Sequence, residues 1–125
     1  MAMTPPWDIR ERSFEFSCDV VRYCFKLGAN PASRTIATQL LRAATSVGAN
    51  TEEAKAAYSR REFALKNSHA LKEAREAQFW LRLIARCGLG DDERETSRLR
   101  AEAGELVGIL TATIRSVRRS IRQAR

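Results

Sequence analysis

The chain has no uncharged apolar run that approaches the roughly 18 residues of a membrane span, so a membrane protein is excluded as an expectation. Its opening, Met1 to Trp7, lacks a basic segment followed by an apolar one; no secretory signal is visible, and the expected location is cytoplasmic. Cysteine is scarce and odd in number. Cys18, Cys24 and Cys87 show no C-x-x-C spacing, which supports neither a disulfide framework nor a zinc site and leaves thiols acting as small hydrophobes. Six Gly and three Pro are too few turn signals for a many-stranded β fold. Histidine occurs once, as His69. A di-metal bundle needs Glu-x-x-His on two helices, so no metal is expected. Glu73 and Glu76 share a helical face with His69, but no nucleophile motif accompanies them, and Ser68 points about 100° away. The pattern reads as an exposed or interfacial His-Glu pair. A Gly-rich phosphate loop is also missing: Gly88 and Gly90 flank a single Leu and read as a helix stop. No enzyme and no cofactor is expected.

What the chain does have is helical periodicity and positive charge. With 125 residues there is room for one domain, 1–125, and 44% hydrophobic residues put it outside the disordered class. Breakers at 28–31, 58–59 and 88–92 cut it into four segments. These predict an all-α, up-and-down antiparallel four-helix bundle with helices over about 8–27, 34–57, 60–87 and 92–122. Asp8, or the preceding Pro5-Pro6-Trp7, sets the first start, and Ser59-Arg60-Arg61-Glu62 has capping-box spacing for the third.

Each segment carries an inward stripe. In the first it is Ile9, Phe16, Val20, Tyr23, Cys24 and Leu27. The second has a 3.5-residue seam of Ile36, Leu40, Ala43, Val47, Asn50, Ala54 and Ala57. The third uses Phe63, Asn67, Ala70, Ala74, Ala77, Leu81 and Ala85, and the fourth Leu99, Ala103, Leu106, Leu110, Thr113, Ile114, Val117 and Ile121. Folding the third helix back on the second puts Asn50 near Asn67 or Ser68, so Asn50 is expected to be a register-setting polar residue bonded across the seam.

Two surface features remain after the core is assigned. Phe14, Cys18, Val21 and Phe25 form a second apolar face on the first helix, and Leu65, Phe79, Trp80 and Leu83 point away from the seam of the third. That is more apolar surface than a monomeric bundle can bury, and it predicts a homo-oligomer. The second feature is charge. Lys plus Arg is 22 against 15 Asp plus Glu, giving net +7 and favouring RNA or DNA as a partner. Arg100, Arg115, Arg118, Arg119 and Arg122 fall within about 100° of arc on the fourth helix. Such a stripe neutralises backbone phosphates without reading bases. Its plain alternative is a solvated face ending in a frayed basic tail.

The run Gln39-Leu-Leu-Arg-Ala-Ala-Thr-Ser-Val-Gly-Ala-Asn50-Thr-Glu-Glu-Ala54 resembles the "Q-x-x-R-A-A-x-S-I-x-x-N-I-A-E-G" segment of the four-helix-bundle family of proteins encoded in intervening sequences of 23S ribosomal RNA genes. Arg61-Glu-Phe63 and Lys72-Glu-Ala-Arg-Glu-Ala-Gln-Phe-Trp-Leu81 look like that family's "E-F" and "K-E-A-x-E-x-x-Y-W-L" stretches. Arg42, Ser46, Asn50, Glu53, Glu73, Glu76, Trp80 and Leu81 occupy motif positions, and Asn50, Glu53 and Glu73 are taken as structural polar residues. The resemblance implies a ring-shaped homopentamer without known enzymatic activity. It also implies kinship with the accessory variability determinant of diversity-generating retroelements, which binds nucleic acid and a reverse transcriptase. Thr51, Glu52 and Ala54 stand where the family has Ile, Ala and Gly, so the second helix is free to continue past Asn50. Two functions follow as expectations: a nucleic-acid-binding adaptor, accessory to a reverse transcriptase, and a structural oligomer with an unknown protein client.

Overall fold

Why the chain turns where it does is visible in its caps. In the computed structural model, which describes residues 8–124, Asp8, Asn30, Ser59 and Asp92 each accept a hydrogen bond from the backbone N–H three residues on. Each thereby satisfies one of the orphan donors at a helix start. The helices that follow are α1 (Ile9–Cys24), α2 (Pro31–Lys55), α3 (Arg60–Cys87) and α4 (Glu93–Gln123). They form an all-α four-helix bundle in which α1 packs on α2, α2 on α3, α3 on α4 and α4 on α1, while the diagonal pairs stay apart. No described helix is long and apolar enough to cross a membrane.

The boundaries correct the sequence reading at three points. α1 stops at Cys24, three residues short of Leu27, because Lys26 and Leu27 bond to carbonyls three back and the last turn tightens. α2 begins at Pro31, not 34: Asn30 caps it and Pro31 fills the first turn, where a missing N–H is harmless. It ends at Lys55, not 57, having run through Ala54 as the departure from the family's glycine allows. Pro5-Pro6-Trp7 lies outside the described residues. At Ser59 the cap differs in detail from a capping box, since Glu62 reaches back to the N–H of Tyr58 and not of Ser59. α3 closes on Gly88 at φ 64°, the left-handed conformation that glycine adopts without strain.

The core is built from Phe16, Val20 and Tyr23 of α1, Leu40, Ala43 and Val47 of α2, Ala70, Ala74, Ala77 and Leu81 of α3, and Leu99, Ala103, Leu106 and Leu110 of α4. Alanine on both α2 and α3 lets these two approach closely. Ile84 is buried and Ala85 exposed, so the α3 seam shifts by one residue at its end. At the α1–α2 crossing the Ser17 hydroxyl donates to Ala44 O, and a Cβ on Gly48 would lie 3.2 Å from that hydroxyl oxygen. Tyr23 and Thr96 share a buried 2.6 Å hydrogen bond that ties the end of α1 to the start of α4.

Asn50 does not bond across the seam. Its amide donates to Ser46 O, Asn67 donates to Phe63 O, and the Ser68 hydroxyl donates to Ala64 O. Each polar side chain satisfies itself on the carbonyl one turn back in its own helix. Asn50 is only partly buried, and Thr51 takes the fully buried place beside it.

Candidate nucleic-acid interface

Ion pairs sort the bundle's charges by side. Arg42 of α2 holds Glu73, at 3.1 Å, and Glu76 of α3. Lys66 reaches Glu53 at 3.7 Å. Between α1 and α4, Arg12 Nε donates to Glu102 at 3.1 Å, and Arg98 bridges Asp19 at 3.1 Å and its own neighbour Glu95. Glu76 and Glu95 are held below the ordinary carboxylate range: Glu76 chiefly by the Trp80 indole N–H, which donates at 3.0 Å, and then by Arg42, and Glu95 chiefly by Arg98. Glu73 and Glu76 of α3 therefore lean toward α2, and Glu102 of α4 toward α1. Of the three residues read as structural polar groups, Glu73 and Glu53 are thus in ion pairs between helices, and Asn50 is not an inter-helix contact.

The flank between α3 and α4 is different. Arg61, Arg75, Arg82, Arg86, Arg100, Arg115, Arg118, Arg119 and Arg122 are all exposed, and none is in a salt bridge among the described residues. A cleft of about 470 Å³ is lined by Arg75, Gln78, Phe79, Arg82, Ser97, Arg100 and Ala101. It adjoins a second that adds Leu83 and Arg86. Farther along, Arg61, Leu65 and Ser68 of α3 and Arg118, Ile121 and Arg122 of α4 line a third. Leu65 and Phe79 are 14 residues apart on α3, which places the two ends of this flank about 21 Å from each other. Between them α4 contributes Gly104 and Gly108, and a Cβ at Gly108 would meet nothing within 4 Å.

The sequence reading treated its arginines and its outward apolar residues as two sites. The structure interleaves them: Leu65 shares a cleft with Arg118 and Arg122, and Phe79 with Arg100. Trp80 and Leu83 are half-buried, Trp80 against the core. Phe14 and Val21 stand exposed on α1 and Phe25 just past its end, with Phe14 at 61% and Phe25 at 85%. Four arginines were missed, namely Arg61, Arg75, Arg82 and Arg86 on α3. The signal for three of them was in the sequence, because Arg75, Phe79, Arg82 and Arg86 follow a 4-3-4 spacing and so share one helical face. No cluster of three or more metal-ligating side chains occurs among the described residues, and His69 is exposed.

The family of 23S rRNA-intervening sequence proteins matches over residues 7–112. A crystal structure from Bacteroides thetaiotaomicron, described as a protein with unknown function from the S23 ribosomal protein family, superposes with a TM-score of 0.78 at 31% identity. The similarity covers 85% of this chain and 97% of that one. No curated protein matches the sequence. The residues quoted above for the resemblance, the four-helix bundle and the span of the match agree, and the chain belongs to the 23S rRNA-intervening sequence protein family.

Proposed function

We propose that the protein is a non-enzymatic, oligomeric adaptor of the cytoplasm that binds nucleic acid through the α3–α4 flank, accessory to a reverse transcriptase. The observation that carries the reading is a concentration of charge: nine exposed arginines without ion-pair partners among the described residues gather on α3 and α4, while the ion pairs between helices join α2 to α3, α1 to α4 and α1 to α2. Arginine without a carboxylate partner is a bidentate donor for phosphate. Oligomerisation, a pentamer by analogy with the family, uses the exposed Phe14 and Val21 of α1 and Phe25 just past its end, with half-buried Cys18 among them. It repeats the arginine flank, so that phosphate contacts add across subunits.

Binding should then depend weakly on sequence and steeply on salt, since counterion release supplies most of the free energy. Changing Arg115, Arg118, Arg119 and Arg122 together to Gln leaves the core stripe untouched. It is expected to flatten the slope of log affinity against log salt by up to about 3 for single-stranded RNA or DNA. Equal slopes for parent and variant, or no binding by the parent at low salt, reject the reading. The apolar α1 face would then favour a structural oligomer that binds a protein client.

A further inference from the structure

Within the basic flank one residue is out of place for a purely electrostatic surface. Phe79 lines the cleft between α3 and α4, 48% exposed, with Arg75 one turn before it, Arg82 one turn after it and Arg100 across from it on α4. No carboxylate lines that cleft. The ring is held, not loose: it meets Trp80 edge-to-face with centroids 5.0 Å apart, and Trp80 is anchored in turn by its N–H bond to Glu76. An aromatic fixed by its neighbours and left half open among guanidinium groups has the chemistry of a stacking platform.

Resting on the proposed nucleic-acid reading, we infer that this cleft takes single-stranded nucleic acid, with an unpaired base stacked on Phe79 and the flanking phosphates held by Arg75, Arg82 and Arg100. A single strand fits for two reasons. Bases in a duplex have both faces covered by their neighbours, so the ring cannot reach one without unstacking it. Neighbouring helix axes lie about 8–10 Å apart, so the cleft between them admits one nucleotide edge but not a double helix. Gln78, whose amide nitrogen lies at the cleft's α4 side near Gly104, adds a donor and an acceptor for a base edge.

The test is fluorescence anisotropy on the full chain with a labelled, unstructured 20-nucleotide RNA, the DNA of the same sequence, and the matching duplex, at several salt concentrations. The parent is expected to bind both single strands more tightly than the duplex. Phe79→Ala should weaken single-strand binding by about 5- to 150-fold, the equivalent of one lost base stack, with the salt slope unchanged. Phe79→Trp should restore it. An oligonucleotide with 2-aminopurine at successive positions should show quenching by the parent that Phe79→Ala relieves. Unchanged single-strand affinity in Phe79→Ala, or equal binding of duplex and single strand by the parent, overturns the inference while leaving the basic flank as a general phosphate surface. A fall in the mass of the assembly by light scattering in Phe79→Ala also overturns it, since the ring would then be a contact between copies. Failure of the parent to bind any of the three probes removes the proposed function itself.

Discussion

Asn67 and Asn50 make the same bond to a carbonyl one turn back, yet they differ in what a substitution should do. Asn67 is 1% exposed, and Asn67→Asp would place an acid where an amide donor is needed, with an expected loss of about 1–3 kcal/mol in urea unfolding. Asn50 is partly exposed and bonded within its own helix, so Asn50→Asp should stay within about 0.5 kcal/mol of the parent. Comparable losses at both positions would show that Asn50 is buried after all. The thiols separate in the same way. Burial pushes the Cys24 thiol from its usual 9.0 up to about 11, where its Sγ also donates to Ala37 O at 3.6 Å. The folded state thus favours the neutral thiol. Its stabilising share is fully present below pH 9 and is lost as pH rises through about 11. At pH 8, iodoacetamide should label exposed Cys87 well before Cys24, a sequence that mass spectrometry of timed samples reads directly.

Among the elements, the α3–α4 connection is the most tightly specified. A Cβ on Gly90 would lie 2.9 Å from the Tyr23 hydroxyl, 3.3 Å from Thr96 Oγ1 and 3.4 Å from Ile84 Cγ2. Because that hydroxyl is fixed in its bond to Thr96, it cannot swing away cheaply. Gly90→Ala is expected to destabilise by about 1–3 kcal/mol, measured as a shift in the urea midpoint at constant slope. This reach between elements is what the sequence concealed. Helix number, order and inward stripes were legible, since apolar spacing and caps are local properties: α3 was expected over 60–87 and runs over those residues. Neither the place nor the bond of Asn50 was legible: Thr51 takes the buried position beside it, and a carbonyl in its own helix competes with the facing side chain, so only the fold decides between them. The arginines of α4 stood out as a run without acids, whereas those of α3 were hidden among Glu73 and Glu76. Only the ion pairs to Arg42 separate the two by face.

For the molecule as a whole, the α1 face carries the expectation of assembly. The parent should exceed 14.1 kDa in light scattering at micromolar concentration, and Phe14→Glu with Phe25→Glu should reduce it to a single chain of unchanged helicity. A monodisperse 14.1 kDa parent rejects the assembly. The helices that build this molecule are unequal: α1 has 16 residues and α4 has 31, about 24 Å against about 46 Å. The last ion pair between them is at Glu102, and α4 runs on for about six turns beyond it. Those turns hold four of the arginines and lie beside α3 alone at the Leu65 cleft. Amide protons should therefore exchange along α4 in a gradient, slowest near Leu99 to Leu110 and fastest toward Gln123. A bound polyanion should slow exchange most at the fast end, so that ordering of the terminal turns accompanies capture.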